Sequence, residues 1–121
     1  NDYEAKLLTE RTGRTLEQLA NEVEALIVTL AGSGSHIYTQ GRRIEIPVAP
    51  AAAVIDPTGC GDAYRAGLLH GIHQGWGWEK TGRLASLMGS IKIAHRGGQN
   101  HKLTRDDIAG RYHAAFGDTL W

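Results

Sequence analysis

Asp56-Pro57-Thr58-Gly59-Cys60-Gly61-Asp62, running on into Ala63-Tyr64-Arg65-Ala66-Gly67-Leu68-Leu69, is the stretch on which the reading of this chain turns. It holds two glycines one residue apart, then an acid, then a run of helix-forming residues. Gly59 and Gly61 admit backbone angles closed to other residues, so successive N–H groups can converge on one concavity. A helix starting near Cys60 or Gly61 adds its first-turn N–H groups and the positive end of its dipole, and both favour phosphate oxygens. Asp62, in that first turn, is favoured in its ionised form by the same dipole and can accept a proton from a hydroxyl. An anion cradle with a base beside it suits phosphoryl transfer to an alcohol, where positioning and charge stabilisation supply most of the catalysis. The same spacing also describes an ordinary loop with an acid at the start of a helix.

The whole stretch Asp56–Leu69 resembles the second signature of the ribokinase-like carbohydrate kinases, the phosphofructokinase B family. Both glycines, the final Asp and the small residues Ala66 and Gly67 match. The resemblance implies an α/β, three-layer, ribokinase-like (Rossmann-like) fold, of which residues 1–121 are the C-terminal nucleotide-binding and catalytic part. It also implies that Asp62 is the catalytic base and that Gly59, Cys60 and Gly61 form the anion hole for the transferring phosphate. The family more often has Ala where this chain has Cys60, and Thr where it has Pro57; neither change removes a backbone donor in the loop.

Three further stretches take a reading from the same resemblance. Asn1-Asp2-Tyr3-Glu4 opens a helix reaching about Thr12 and closed by Gly13, and by its residues alone it is a solvated helix start. It resembles the family's Asn-x-x-Glu motif, which implies that Glu4 and Asn1 hold Mg²⁺ through water; an amide and a carboxylate are hard oxygen ligands suited to that ion. Thr29-Leu30-Ala31-Gly32-Ser33-Gly34 resembles a Thr-Leu-Gly-x-x-Gly turn that touches the nucleotide, with Ala31 where the first Gly is usual. Thr29, Gly32 and Gly34 are the candidate nucleotide contacts, and a plain hairpin turn remains the alternative for Gly32. The polar loop His95–His101 resembles the lining of the adenine site, implying nucleotide contacts at Gly97 and Gly98, with Asn100 a further candidate. With the region of Asp56 and Thr58 it also implies a monovalent cation, K⁺. Neither a Walker A pattern nor a Rossmann Gly-x-Gly-x-x-Gly is present, which removes support for those two nucleotide-binding folds.

Composition narrows the classes further. Thirteen basic and thirteen acidic residues cancel, so the chain carries no electrostatic footprint for nucleic acid or an anionic membrane. No apolar run approaches a membrane span. A single cysteine fits a reducing, cytoplasmic setting and forms no internal disulfide. Cys60 reads as a small residue filling a turn rather than as a nucleophile. The 121 residues, 41% of them hydrophobic, could make one small domain, but family members are longer and carry their acceptor-binding half on the N-terminal side. The expected partners are therefore ATP, a small sugar or nucleoside, the N-terminal half of the same kinase, and a second copy in a homodimer.

The remaining elements follow from pattern. Thr15-Leu16-Glu17-Gln18 predicts a capping box opening a short helix to about Glu22. Ala25–Leu30 is a continuous apolar run, as expected for a strand covered on both faces in a parallel sheet. His36–Thr39 and Arg42–Pro47 predict a hairpin across Gln40-Gly41, and Val54-Ile55 a short buried strand. A helix to about His73 or Gln74 is broken by Gly75-Trp76-Gly77-Trp78, whose tryptophans read as an apolar plug, and His70 and His73 read as a solvated pair. Leu84, Leu87, Met88 and Ile91 predict an amphipathic helix over Glu79 to about Ala94, and Thr104 and Asp107 open the last helix, with Ile108, Tyr112, Ala115 and Phe116 as its buried stripe. Two functions from different classes fit: an ATP-dependent kinase, and a non-catalytic nucleotide- or sugar-binding module or inactive fragment that retains the cradle.

Overall fold

The tight hairpin at Gln40-Gly41 orders the first part of the chain. Both residues take positive φ, 52° and 74°, the backbone of a two-residue turn whose twist matches that of paired strands. In the computed structural model, which describes residues 1–30, 33–50, 60–93 and 104–120, the chain divides into two units, Asn1–Pro47 and Val48–Trp121.

The first unit contains α1 (Asp2–Thr12), α2 (Leu16–Ala20), β1 (Leu26–Thr29), β2 (Ser35–Thr39) and β3 (Arg42–Ile46). The strands form one sheet in the order β1-β2-β3, antiparallel throughout. Ile27 faces Ile37 and Ile37 faces Ile44 across the sheet, giving a cross-strand apolar row of the kind that stabilises a sheet. Ile37 is fully buried, and Ile44 and Ile46 alternate with exposed Glu45 along β3. Among the described residues the neighbour of β1 is β2, and that pairing is antiparallel; the parallel setting predicted for Ala25–Leu30 is not tested by it. Leu30 N–H donates to the Gly34 carbonyl at 2.8 Å and Ser33 N–H to the Leu30 carbonyl at 3.0 Å. The chain therefore returns at once beside β1, whereas a parallel neighbour needs a long crossover. Nor is β1 buried throughout, since only Val28 falls in the buried class. Helix α2 ends at Ala20, short of the predicted Glu22; Glu22 and Val23 N–H groups instead bond three residues back, to Leu19 and Ala20.

The second unit holds α3 (Cys60–His73), α4 (Trp78–Ile93) and α5 (Arg105–Phe116). Its core is Ala49, Leu84, Leu87, Ile91, Tyr112 and Leu120, with Met88, Ile108, Ala115 and Phe116 packed against it. This matches the apolar stripes predicted for α4 and α5. Helices α3 and α4 meet through glycines: a Cβ on Gly67 would lie 2.7 Å from Ala85 Cα, and one on Gly71 would lie 2.3 Å from Thr81 Oγ1. Gly89 lies near the Cys60 carbonyl, 3.8 Å from an added Cβ. The order of these contacts makes the pair antiparallel and places the start of α3 beside the last turns of α4. Helix α3 closes with Gly75 N–H on the Ile72 carbonyl and Trp76 N–H on the Gly71 carbonyl, the paired bonds of a Schellman ending.

Trp76 packs against the core, as the predicted plug should. His70 and His73 are both exposed, as a solvated pair should be, and His70 also stands edge-on to Trp76 with ring centroids 5.3 Å apart. Lys80 Nζ lies 4.5 Å from the Trp76 ring, a cation–π arrangement. In α5, Thr104 Oγ1 accepts from Asp107 N–H and Asp107 Oδ2 accepts from Thr104 N–H, both at 3.1 Å. The backbone and hydroxyl of Thr104 hold the Asp107 carboxyl below its ordinary range. Burial pushes the Tyr112 phenol above its ordinary range, with the Arg83 guanidinium pulling the other way. The predicted strand Val54-Ile55 lies outside the described residues.

Candidate active site

The opening of α3 is the candidate site in the second unit. Cys60, Gly61 and Asp62 are its first three residues, so their N–H groups have no acceptor in a preceding turn of their own helix. Residue 59 is a glycine, so it has no side chain to bend over that turn. Gly61 is exposed, and a Cβ added to it would meet nothing within 4 Å. The space above the turn at Gly61 is therefore open, while Gly67 and Gly71, on the same helix, admit no Cβ. The glycine contacts pack α3 closely against α4.

Asp62 projects into solvent. Its Oδ1 accepts from Arg65 Nη1 at 2.9 Å, and the two side chains are 84% and 73% exposed. The carboxylate is thus accessible to an incoming hydroxyl and already oriented by a cation one turn along the helix. Arg65 carried no signal in the sequence, because an i,i+3 acid–base spacing is common on helix surfaces. Lys92 was also missed. It is only 2% exposed, although lysine is rarely so deeply buried. It lies in the last turn of α4, three residues beyond Gly89 and so at the end of α4 that lies beside the start of α3.

In the first unit, Asn1 and Glu4 come together as a capping box. Asn1 Oδ1 accepts from Glu4 N–H at 2.8 Å, and Glu4 Oε2 accepts from the Asn1 amino group at 2.9 Å. Glu4 is nevertheless 74% exposed. A hard-oxygen donor in that position fits a magnesium ion met through water. Thr29 pairs with Ser35 in the β1–β2 register, and Gly34 sits at the turn with φ 90°. The two therefore bracket the turn as predicted. Gly32, Asp56, Thr58, Gly59, Gly97, Gly98 and Asn100 lie outside the described residues. No helix among the described residues is long and apolar enough to cross a membrane.

Residues 1–105 match the model of the pfkB family of carbohydrate kinases. A nucleoside kinase of Methanocaldococcus jannaschii is 37% identical over 111 residues, which cover 92% of this chain and 37% of that protein. The structure of a Burkholderia thailandensis nucleoside kinase in complex with ADP-inosine superposes with a TM-score of 0.94 at 50% identity, over 98% of this chain and 37% of that one. An Arabidopsis thaliana ribokinase complexed with ribose and ATP gives a TM-score of 0.73 at 26% identity, over 89% of this chain and 38% of that one. The chain shares the ribokinase-like α/β fold of these enzymes and spans well under half the length of each.

Proposed function

The chain belongs to the pfkB family of carbohydrate kinases, and from that premise we propose that it is the C-terminal nucleotide-binding and catalytic part of an ATP-dependent kinase acting on a nucleoside hydroxyl. The observation that carries the reading is the opening turn of α3, where an open space at Gly61 adjoins the exposed carboxylate of Asp62. The preference for a nucleoside over a free sugar rests on relatives. The nucleoside kinase bound to ADP-inosine is 50% identical to this chain, the ribokinase only 26%.

In this reading Asp62 takes the proton of the acceptor hydroxyl as the acceptor oxygen bonds to the γ-phosphorus. The bond from that phosphorus to the β–γ bridging oxygen breaks, and ADP leaves with the electron pair. The N–H groups of Gly59, Cys60 and Gly61 receive the charge that develops on the phosphoryl oxygens; preorganised donors of this kind supply a large share of catalysis. Thr29, Gly32, Gly34, Gly97 and Gly98 hold the nucleotide. Glu4 and Asn1 would hold Mg²⁺ through water, and the metal would supply neutralisation of phosphate charge. Asp56 and Thr58 would hold K⁺. The N-terminal half of the same kinase supplies the acceptor pocket, so the chain by itself is inactive.

The test is ADP release by the full-length kinase against a panel of nucleosides, inosine among them, and of free sugars. We expect one nucleoside to drive turnover, and Asp62→Asn to lower it by about 10²–10⁴-fold while nucleotide affinity persists. An Asp62→Asn enzyme with kcat close to that of the parent overturns the base assignment. Nucleotide binding without turnover for any acceptor favours the non-catalytic binding module instead.

A further inference from the structure

We propose that Arg65 is a positioning residue for the base Asp62, an inference that rests on the kinase reading above. Arg65 Nη1 donates to Asp62 Oδ1 at 2.9 Å, in a pair whose side chains are 73% and 84% exposed. Such a pair contributes little to stability, because water screens it and two long side chains must be ordered to form it. Its value lies in where it sits. A general base works only when its oxygen reaches the proton at hydrogen-bond distance, and an exposed aspartate at the tip of a helix otherwise samples several rotamers. Arg65 anchors one carboxylate oxygen and leaves the other, Oδ2, to face the acceptor hydroxyl. The α3 backbone sets the direction of the anchor, since residues three apart lie on one face, and Gly67 and Gly71 pack that helix tightly against α4. The guanidinium remains charged at every relevant pH and has five N–H donors in a fixed fork, so the anchor does not switch off.

The experiment compares the full-length kinase with Arg65→Gln and Arg65→Lys, using ATP and the acceptor that drives turnover. Misplacing a catalytic group by about an ångström lowers rate by about a hundredfold, so we expect Arg65→Gln to lower kcat by about ten- to a hundredfold. The KM for ATP and the Tm should stay unchanged, because Arg65 is exposed and the pair is not needed for folding. Arg65→Lys, which keeps the ion pair, should recover most of the loss. A residue that served only the fold would move Tm and leave kcat alone. An Arg65→Gln enzyme whose kcat stays close to that of the parent overturns the role of Arg65 and leaves the kinase reading standing. So does an Arg65→Lys enzyme as slow as Arg65→Gln. A parent enzyme that releases no ADP with any acceptor overturns the kinase reading, and the role of Arg65 with it.

Discussion

Four helices of this chain put an acid or amide side chain at their third residue, and they do not use it alike. In α1, α2 and α5 the third residue is Glu4, Gln18 or Asp107, and each closes back on the residue before the helix in a reciprocal box. In α3 the third residue is Asp62, but the residue before the helix is Gly59, which has no side chain to complete such a box. The Asp62 carboxylate turns outward to Arg65 instead. All four side chains are exposed; three of them accept from the residue before their helix, and Asp62 accepts from Arg65 within its own helix. The difference teaches that an acid in a first turn has no fixed meaning. In each closed box the acid or amide accepts from the backbone nitrogen of the residue before the helix, while that residue's side chain accepts from the third N–H in return.

The sharpest way to break the comparison is Asp62→Asn. It should lower kcat of the full-length kinase by about 10²–10⁴-fold, the span of a general-base contribution, with no change in thermal melting. Next comes Gly71→Val, which drives a branched side chain into Thr81 and should destabilise the fold by about 2–3 kcal/mol, read by urea denaturation. A stable Gly71→Val protein would mean that the α3–α4 contact is not what holds the start of α3. Gly61→Ala sharpens the contrast within one helix. Its methyl meets nothing within 4 Å, so melting should not change, while ATP turnover should fall about tenfold because phosphate must approach that backbone closely.

The smallest effect belongs to a closed helix start. Thr104→Ala removes a capping hydroxyl and should destabilise by about 1 kcal/mol without changing turnover. The folded state holds the Asp107 carboxyl below its ordinary value. Its contribution is therefore present above the ordinary carboxylate pKa of about 3.9 and lost as pH falls through the lower folded value. The Thr104 backbone N–H keeps donating in the variant, so the difference in stability between neutral and strongly acidic pH should shrink without vanishing. Urea melts at the two pH values measure it.

Some of this protein was legible in the sequence by itself. The capping boxes at Thr15 and Thr104, the close of α1 at Gly13, the hairpin at Gln40-Gly41 and the Leu84–Ile91 stripe were all read correctly, because each is decided by residues a few positions apart. The Asp56–Leu69 stretch pointed to the family for a related reason: many small and acidic residues at fixed spacing leave few other readings.

Only the tertiary structure decided the rest. An apolar run such as Ala25–Leu30 has the same composition whether a neighbour runs parallel or antiparallel, and the short return to β2 makes that neighbour antiparallel. His70 meets Trp76 only because α3 ends in a tight turn that brings the ring back. The burial of Lys92 and the close fit of Gly67 and Gly71 depend on α4 lying against α3, and no local pattern encodes a partner that far along the chain. The pairing of Asp62 with Arg65 is a choice among several partners open to an exposed carboxylate. That choice is made by how the folded helix start orients both side chains, and no local pattern in the sequence singles out Arg65.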